Sequence, residues 1–233
     1  MLEVRDVSYS VSEEGRRKKI LDKVSFKVRP GEFLVVTGPN GGGKSSLAKI
    51  IMGLAKQTRG KILLNGEDVS DLSMTERAQK GISFSFQQPV RFKGLLVYDL
   101  LNIANGELMS VKEAGDILAK VGLPASEYLE REVDGKLSGG ELKRIEIATV
   151  LARDSEVLIF DEPEAGIDLW SFDDLVKVFR KLHREGKTII VISHQERILK
   201  IADKIMILKK GQVYKLNEAR KILPKIQEGK DEL

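Results

Sequence analysis

The sequence predicts an α/β fold, a largely parallel β-sheet with helices on its faces, joined to an N-terminal β region and a helical region. Three observations carry this. From residue 138 onward, segments with helical apolar spacing alternate with short apolar runs, VLIF (157–160) and TIIVIS (188–193), the pattern of strands buried on both faces. Near the N-terminus, residues 2–7 and 20–28 alternate apolar and polar side chains, as strands with one buried face do. In the middle, residues 97–123 set Leu100, Leu101, Ile103, Val111, Ile117, Leu118 and Val121 at helical intervals.

In chain order, the first two strands are expected to be joined by a polar, basic loop, SEEGRRKK (12–19). Pro30-Gly31 turns the chain into FLVVT (33–37), an apolar run that reads as a central strand. LAKIIMGLA (47–55) has helical spacing, and KILLNG (61–66) ends in an Asn-Gly turn. Beyond the helical stretch, ELKRIEIATVLA (141–152) reads as an amphipathic helix and WSFDDLVKVFRKLHREG (170–186) as a helix closed by Gly186. DKIMILKKGQV (203–213) reads as a strand leading into a turn. The expected organisation is one domain over 1–233, with a core lobe at about 1–86 and 154–215, a helical lobe at about 90–153 and a C-terminal tail at 216–233.

Composition narrows the functional classes. With 42% hydrophobic and 32% charged residues the chain reads as an ordinary globule. Its 39 basic and 35 acidic side chains leave a net charge of +4, too balanced to argue for a nucleic-acid partner. Without cysteine there is no disulfide framework, thiol nucleophile or thiolate-held metal. No apolar run approaches the roughly 20 residues of a spanning helix, and a cytoplasmic location is expected. The final Lys230-Asp231-Glu232-Leu233 spells a retention address of the secretory route, but reads as a charged, solvated end because nothing else suggests entry to that route.

Four motifs carry chemistry. GPNGGGKSS (38–46) fits the phosphate-loop pattern G-x-x-x-x-G-K-[ST] and follows a strand and opens a helix. Its backbone amides are suited to phosphate oxygens, Lys44 to the outer phosphates and the Ser45 hydroxyl to Mg²⁺. VLIFDE (157–162) delivers two acids at a strand end: Asp161 is expected to hold Mg²⁺ through water, and Glu162 to polarise the water that attacks the γ-phosphate. In LSGGE (137–141), Ser138 and Glu141 form a capping box and Gly139-Gly140 leave the helix end open to an anion. ISHQ (192–195) ends a strand on His194, which also reads as the start of a helix capped by Ser193 and Glu196. The other histidine, His183, reads as a solvated face residue, and Trp170 as packing.

Phosphate loop, LSGGE, a strand ending in Asp-Glu and a later lone histidine, in this order, resemble the ATP-binding cassette (ABC) ATPases over roughly residues 1–215. The resemblance implies a P-loop NTPase fold with a RecA-like parallel-sheet core, an antiparallel β subdomain and a helical subdomain. It implies hydrolysis of ATP to ADP and phosphate with Mg²⁺. Two cassettes would pair head to tail, so that Ser138, Gly139 and Gly140 cap the nucleotide on the other copy's loop. Gly38, Asn40, Gly41, Gly42, Gly43, Lys44, Ser45 and Ser46 would form the nucleotide cradle. Gln87 would link the metal's water to the partner interface, His194 would contact the γ-phosphate, and Asp168 would cross between the two copies. Two positions depart from the family pattern. Val11 stands where an aromatic ring often stacks on adenine, with Tyr9 two residues before it, and Glu141 stands where glutamine is common.

Around Gln87, GISFSFQQPVRFKGL resembles the ATPase subunit of the Suf iron–sulfur cluster assembly system (SufC), as do GGELKR and ISHQERIL. This implies a soluble SufB/SufD-like scaffold as partner, docked on Pro89 to Gly94 with Arg91 and Phe92 at the surface. The alternative is the nucleotide-binding subunit of a membrane transporter, peripheral to the membrane and docked on permease subunits through the same groove.

Overall fold

In a computed structural model, which describes residues 1–13, 15–87, 92–167 and 169–227, two sheets and a set of helices enclose two apolar cores. The N-terminal strands β1 (Leu2–Glu13) and β2 (Arg16–Val28) pair with β4 (Arg59–Leu64) and β5 (Glu67–Asp68) in the antiparallel order β2-β1-β4-β5. Most of the expected loop at 12–19 is instead strand: β1 runs to Glu13 and β2 starts at Arg16, with Ser12 facing Arg17 and Glu13 facing Arg16 in register. A solvated two-stranded ribbon needs no apolar face while its cross-strand pairs hold, so polar residues hide it from a pattern search. The Asn-Gly turn between β4 and β5 forms as expected, with Asn65 and Gly66 both in the left-handed region (φ 52° and 88°).

The second sheet has the order β10-β9-β3-β8-β7-β6. It contains β3 (Phe33–Thr37), β6 (Ile82–Ser85), β7 (Val157–Asp161), β8 (Thr188–Ile192), β9 (Lys204–Lys209) and β10 (Gln212–Glu218). Every pair is parallel except the β9–β10 hairpin. All residues of β3, β7 and β8 are buried, as expected of parallel strands covered on both faces. Successive side chains of β3 point to opposite sides. Phe33 and Val35 join one core and Leu34 and Val36 the other.

Helix α1 (Lys44–Met52) lies in the core shared with the antiparallel sheet, and α2 (Met74–Gln79) follows it, started by a complete Ser73–Glu76 capping box. The other core is built from α3 (Val97–Asn105), α4 (Val111–Lys120), α5 (Ala125–Tyr128), α6 (Gly139–Ala152) and α7 (Leu169–Arg184). Two short helices complete the chain, α8 (Glu196–Leu199) and α9 (Ala219–Gln227). Helix α9 carries Pro224 inside it, which argues against a helix in the sequence, yet Ala219 and Ile222 are buried against the sheet.

Two side chains differ from the sequence reading. His183 is not simply solvated: its Nε2 lies 2.9 Å from Asp203 Oδ2 and its ring stands edge-on to Phe33 at 5.6 Å. The Ser193–Glu196 capping box does not form. Ser193 Oγ accepts from the Gln195 backbone N–H at 3.0 Å, and α8 takes Gln195 as its cap. Arg91, Pro89, Asp168 and the last six residues lie outside the described residues, as does the Trp170 side chain.

Candidate nucleotide site

The site lies where β3, β7 and β8 end, on the side to which ligands of parallel sheets bind. β3 runs into the Gly-rich loop, which is pressed against β9. A Cβ on Gly38 (φ 132°) would stand 2.1 Å from the Leu208 carbonyl oxygen, and one on Gly42 would stand 2.9 Å from it. The backbone is tied on both sides, with the Gly42 N–H donating to Pro39 O at 3.1 Å and the Gly211 N–H to Gly42 O at 3.1 Å. Asn40 and Gly41 are exposed at the tip. Gly43, also left-handed (φ 99°), starts α1 without a side-chain cap, so the positive end of the helix stays open.

Lys44 Nζ curls back over the loop, donating to Gly38 O at 2.8 Å and to Pro39 O at 3.1 Å. Burial pulls its pKa down, and the nearby Glu162 and Asp161 carboxylates oppose that. Ser45 Oγ donates to Asp161 Oδ1 at 3.0 Å, joining the first turn of α1 to the end of β7; Ser46 follows in the same turn. Asp161 is buried, which raises its pKa against the Ser45 hydrogen bond. Among the described residues no group of three or more His, Cys, Asp or Glu could cage a metal. The Ser45 hydroxyl and the Asp161 carboxylate are hard oxygen donors, and so small a protein set fits Mg²⁺, which takes most of its shell from phosphates and water.

Glu162 has a left-handed backbone (φ 46°), uncommon for a residue with a side chain, and its N–H donates to Ile192 O at 3.0 Å. This bends the chain off the end of β7 and brings its Oε2 to 2.6 Å from Gln87 Nε2. His194 follows β8. Its Nδ1 lies 3.4 Å from Thr37 Oγ1, while Nε2 is buried without a hydrogen-bond partner. Burial lowers the His194 pKa, and Lys44 lowers it further. The imidazole is thus held neutral near pH 7, with one ring nitrogen left for a ligand.

Ser138, Gly139 and Gly140 are not drawn into this cluster. Ser138 and Gly139 are exposed at the start of α6, where Ser138 Oγ accepts from the Glu141 N–H at 3.2 Å and Glu141 Oε2 from the Ser138 N–H at 2.7 Å. Glu141 Oε1 also accepts from Tyr128 Oη at 2.6 Å and Arg131 at 2.9 Å. A Cβ on Gly139 would lie 2.8 Å from Gly166 O, so α6 starts hard against the loop after Glu162. Val11, which has no ring to stack, lies half-buried on β1, and Tyr9 is partly buried against the core.

Three features went unread in the sequence. Lys143, wholly buried on α6, donates to Phe86 O at 2.5 Å and to Glu146 Oε2 at 2.8 Å, while Glu146 Oε1 accepts from the Phe86 N–H at 2.7 Å. The pair pins the chain just before Gln87, and only its i,i+3 spacing could have hinted at it. Glu164 is turned inward onto Ser193. Beside Gln87 a largely apolar cleft of about 370 Å³ opens between α2, α3 and α6, lined by Met74, Phe86, Phe92, Leu100, Ile103 and Ile145.

The comparisons with known proteins agree with this geometry. Residues 21–165 match the family model described as "ABC transporter". The chain is 37% identical over 213 residues to an uncharacterized ABC transporter ATP-binding protein of Methanocaldococcus jannaschii, covering 88% of this chain and 85% of that one. It is 31% identical over 212 residues to the lipopolysaccharide export system ATP-binding protein LptB of Haemophilus influenzae, covering 85% and 84%. Among solved structures it resembles a dimeric ATP-binding cassette in a post-hydrolysis state bound to ADP and Pi, with a TM-score of 0.85 and 25% identity over 94% of this chain and 99% of that one.

Proposed function

Because the chain belongs to the ABC transporter family, we propose that this ATP-hydrolysing cassette is the nucleotide-binding subunit of a membrane transporter. The observation that carries the chemistry is the meeting of Lys44, Ser45, Asp161, Gln87, Glu162 and His194 at one end of the sheet. The loop amides and Lys44 bind the phosphates, and Lys44 leaves its own loop carbonyls to do so. Ser45, Asp161 and Gln87 would hold Mg²⁺, which would supply charge neutralisation on the phosphates. Glu162 takes the proton of the attacking water, and Gln87 orients that carboxylate. His194 offers Nε2 to the γ-phosphate.

ATP pairs two copies head to tail, with Ser138, Gly139 and Gly140 of each completing the pocket of the other and Asp168 lying at their junction. The exposure of Ser138 and Gly139 supports this reading. So does the dimeric cassette structure that the chain resembles.

The apolar cleft beside Gln87 takes a helix of the permease subunits, placing the chain on the cytoplasmic face of a membrane. Among the described residues no helix is long and apolar enough to cross a membrane itself. The transporter names of the relatives favour permease subunits over a Suf scaffold as partner, and part of the stretch that suggested Suf lies outside the described residues. The test is affinity capture of the chain from detergent-solubilised membranes of its own cells. A multi-span membrane protein retained in proportion to the chain is expected; recovery with soluble scaffold subunits instead would overturn the transporter reading. Glu162→Gln purified with ATP should elute as a stable dimer with no turnover, and a hydrolysing monomer would refute the general-base role.

A further inference from the structure

Glu164 stands out because nothing in the chemistry above uses it. The chain turns tightly after Glu162, with the Ala165 N–H donating to Glu162 O at 3.0 Å and the Ile167 N–H to Glu164 O at 3.2 Å. This turn throws the Glu164 side chain back onto the end of β8. There its Oε1 accepts from Ser193 Oγ at 2.5 Å, while Oε2 is buried without a hydrogen-bond partner.

Such a placement costs stability. A carboxyl taken out of water with one oxygen unpaired loses more in solvation than a single hydroxyl returns. Ser193 needs no help from it to cap the next turn, since its Oγ already accepts from the Gln195 N–H at 3.0 Å and its own N–H donates to Val36 O at 3.2 Å. What the carboxyl adds is a grip on the one residue that precedes His194. The imidazole is otherwise held loosely, because its 3.4 Å approach to Thr37 Oγ1 is long for a hydrogen bond.

We propose that Glu164 is a positioning residue for ATP hydrolysis: by holding the Ser193–His194 turn from the loop that follows Glu162, it fixes the direction in which His194 Nε2 points. The loop with the attacking-water carboxylate and the turn with the γ-phosphate contact are thereby held as one piece. Burial raises the Glu164 pKa against the Ser193 hydrogen bond, in keeping with a carboxyl that acts through shape and hydrogen bonding. A glutamine of the same shape therefore preserves the grip, whereas alanine removes it.

This inference rests on the proposed role of His194, and the experiment separates the two. Steady-state ATPase kinetics and thermal midpoints are measured for Glu164→Ala, Glu164→Gln, Ser193→Ala, His194→Ala and the Glu164→Ala/His194→Ala pair. The expected result is a tenfold or greater fall in kcat for Glu164→Ala at nearly unchanged KM for ATP, with most of it restored in Glu164→Gln. The double variant should be no slower than His194→Ala alone, because the two residues act as a unit. If His194→Ala is slow but the Glu164→Ala loss multiplies onto it, or if Glu164→Ala is as fast as the parent, the positioning role is overturned and the reading of His194 stands. If His194→Ala is as fast as the parent, that reading falls and the inference falls with it. Should Glu164→Ala fail to fold, Glu164→Leu, which leaves the Ser193 hydroxyl on the Gln195 N–H, decides by the same criteria, and Ser193→Ala, which frees that N–H as well, is expected to be at least as slow.

Discussion

Gln87 Nε2 and Glu162 Oε2 are 2.6 Å apart, although 75 residues separate them in the chain. One side of this bond faces the nucleotide site, and the other adjoins the apolar cleft through Phe86, whose main chain is held by Lys143 and Glu146. Gln87→Ala should therefore reduce kcat about tenfold with little change in KM for ATP, the loss expected when a hydrogen bond to a charged group disappears. Single-turnover hydrolysis checks this; an unchanged rate would show that Glu162 needs no such support.

The Gly-rich loop predicts a contrast between two of its own glycines. Gly38→Ala puts a methyl group 2.1 Å from Leu208 O at φ 132°, so the loop has to move, lowering the thermal midpoint and abolishing nucleotide binding. Gly41→Ala, with φ 74° and open space around it, should cost only about 1 kcal/mol and keep binding. Thermal unfolding and titration with a fluorescent ATP analogue compare the two.

Arg77 is fully buried, and its guanidinium donates to Ile50 O (2.6 Å), Ile51 O (2.9 Å), Ser70 O (2.7 Å) and Leu72 O (3.1 Å). It closes the C-terminal end of α1, the helix that the phosphate loop opens. Arg77→Met keeps the bulk but strips the guanidinium from all four carbonyls, leaving Ile50 O with only the Gly53 N–H and Ser70 O with only the Gln57 amide, and should destabilise the fold by about 3 kcal/mol. Urea denaturation measures the loss, and a midpoint like the parent's would contradict the bonding described.

Acid should loosen the start of α6. Burial works against the Glu141 carboxylate, yet the Tyr128 hydroxyl, the Ser138 backbone N–H and Arg131 outweigh it and hold its pKa at about 2, below the usual 4.5. A depressed carboxylate pKa stabilises the fold above about pH 4.5, and that contribution fades as the pH falls toward 2. Glu141→Gln should thus flatten the decline of stability between these pH values. Part of the decline remains, because Glu3, held by Arg5, and Asp68, held by Ser70, also sit at about 2. Denaturant midpoints at pH 7 and pH 3 for parent and variant test this.

Much of the fold was legible because its strands obey simple periodicities. FLVVT, VLIF and TIIVIS are apolar throughout because both faces are covered, and β3, β7 and β8 fall on them. The first hairpin extends past its apolar part because Ser12 pairs in register with Arg17 and Glu13 with Arg16, and no apolar pattern marks these polar residues. At the site, the expected residues Lys44, Ser45, Asp161, Gln87, Glu162 and His194 were visible as motifs, and the structure brings them together. Lys143, Glu146 and Glu164 were not, since each reads locally as one more charge and takes its meaning from a contact 29 to 61 positions away.

The split allegiance of β3 has a mechanical consequence. With Phe33 and Val35 in one core and Leu34 and Val36 in the other, and with β9 and β8 on either side, this strand cannot open without disturbing both. Its amides should be among the last in the molecule to exchange with deuterium, at a rate set by global unfolding. The phosphate-binding loop thus hangs from an anvil, and any give during turnover costs less in parts seated in one core only, such as α3 and α4.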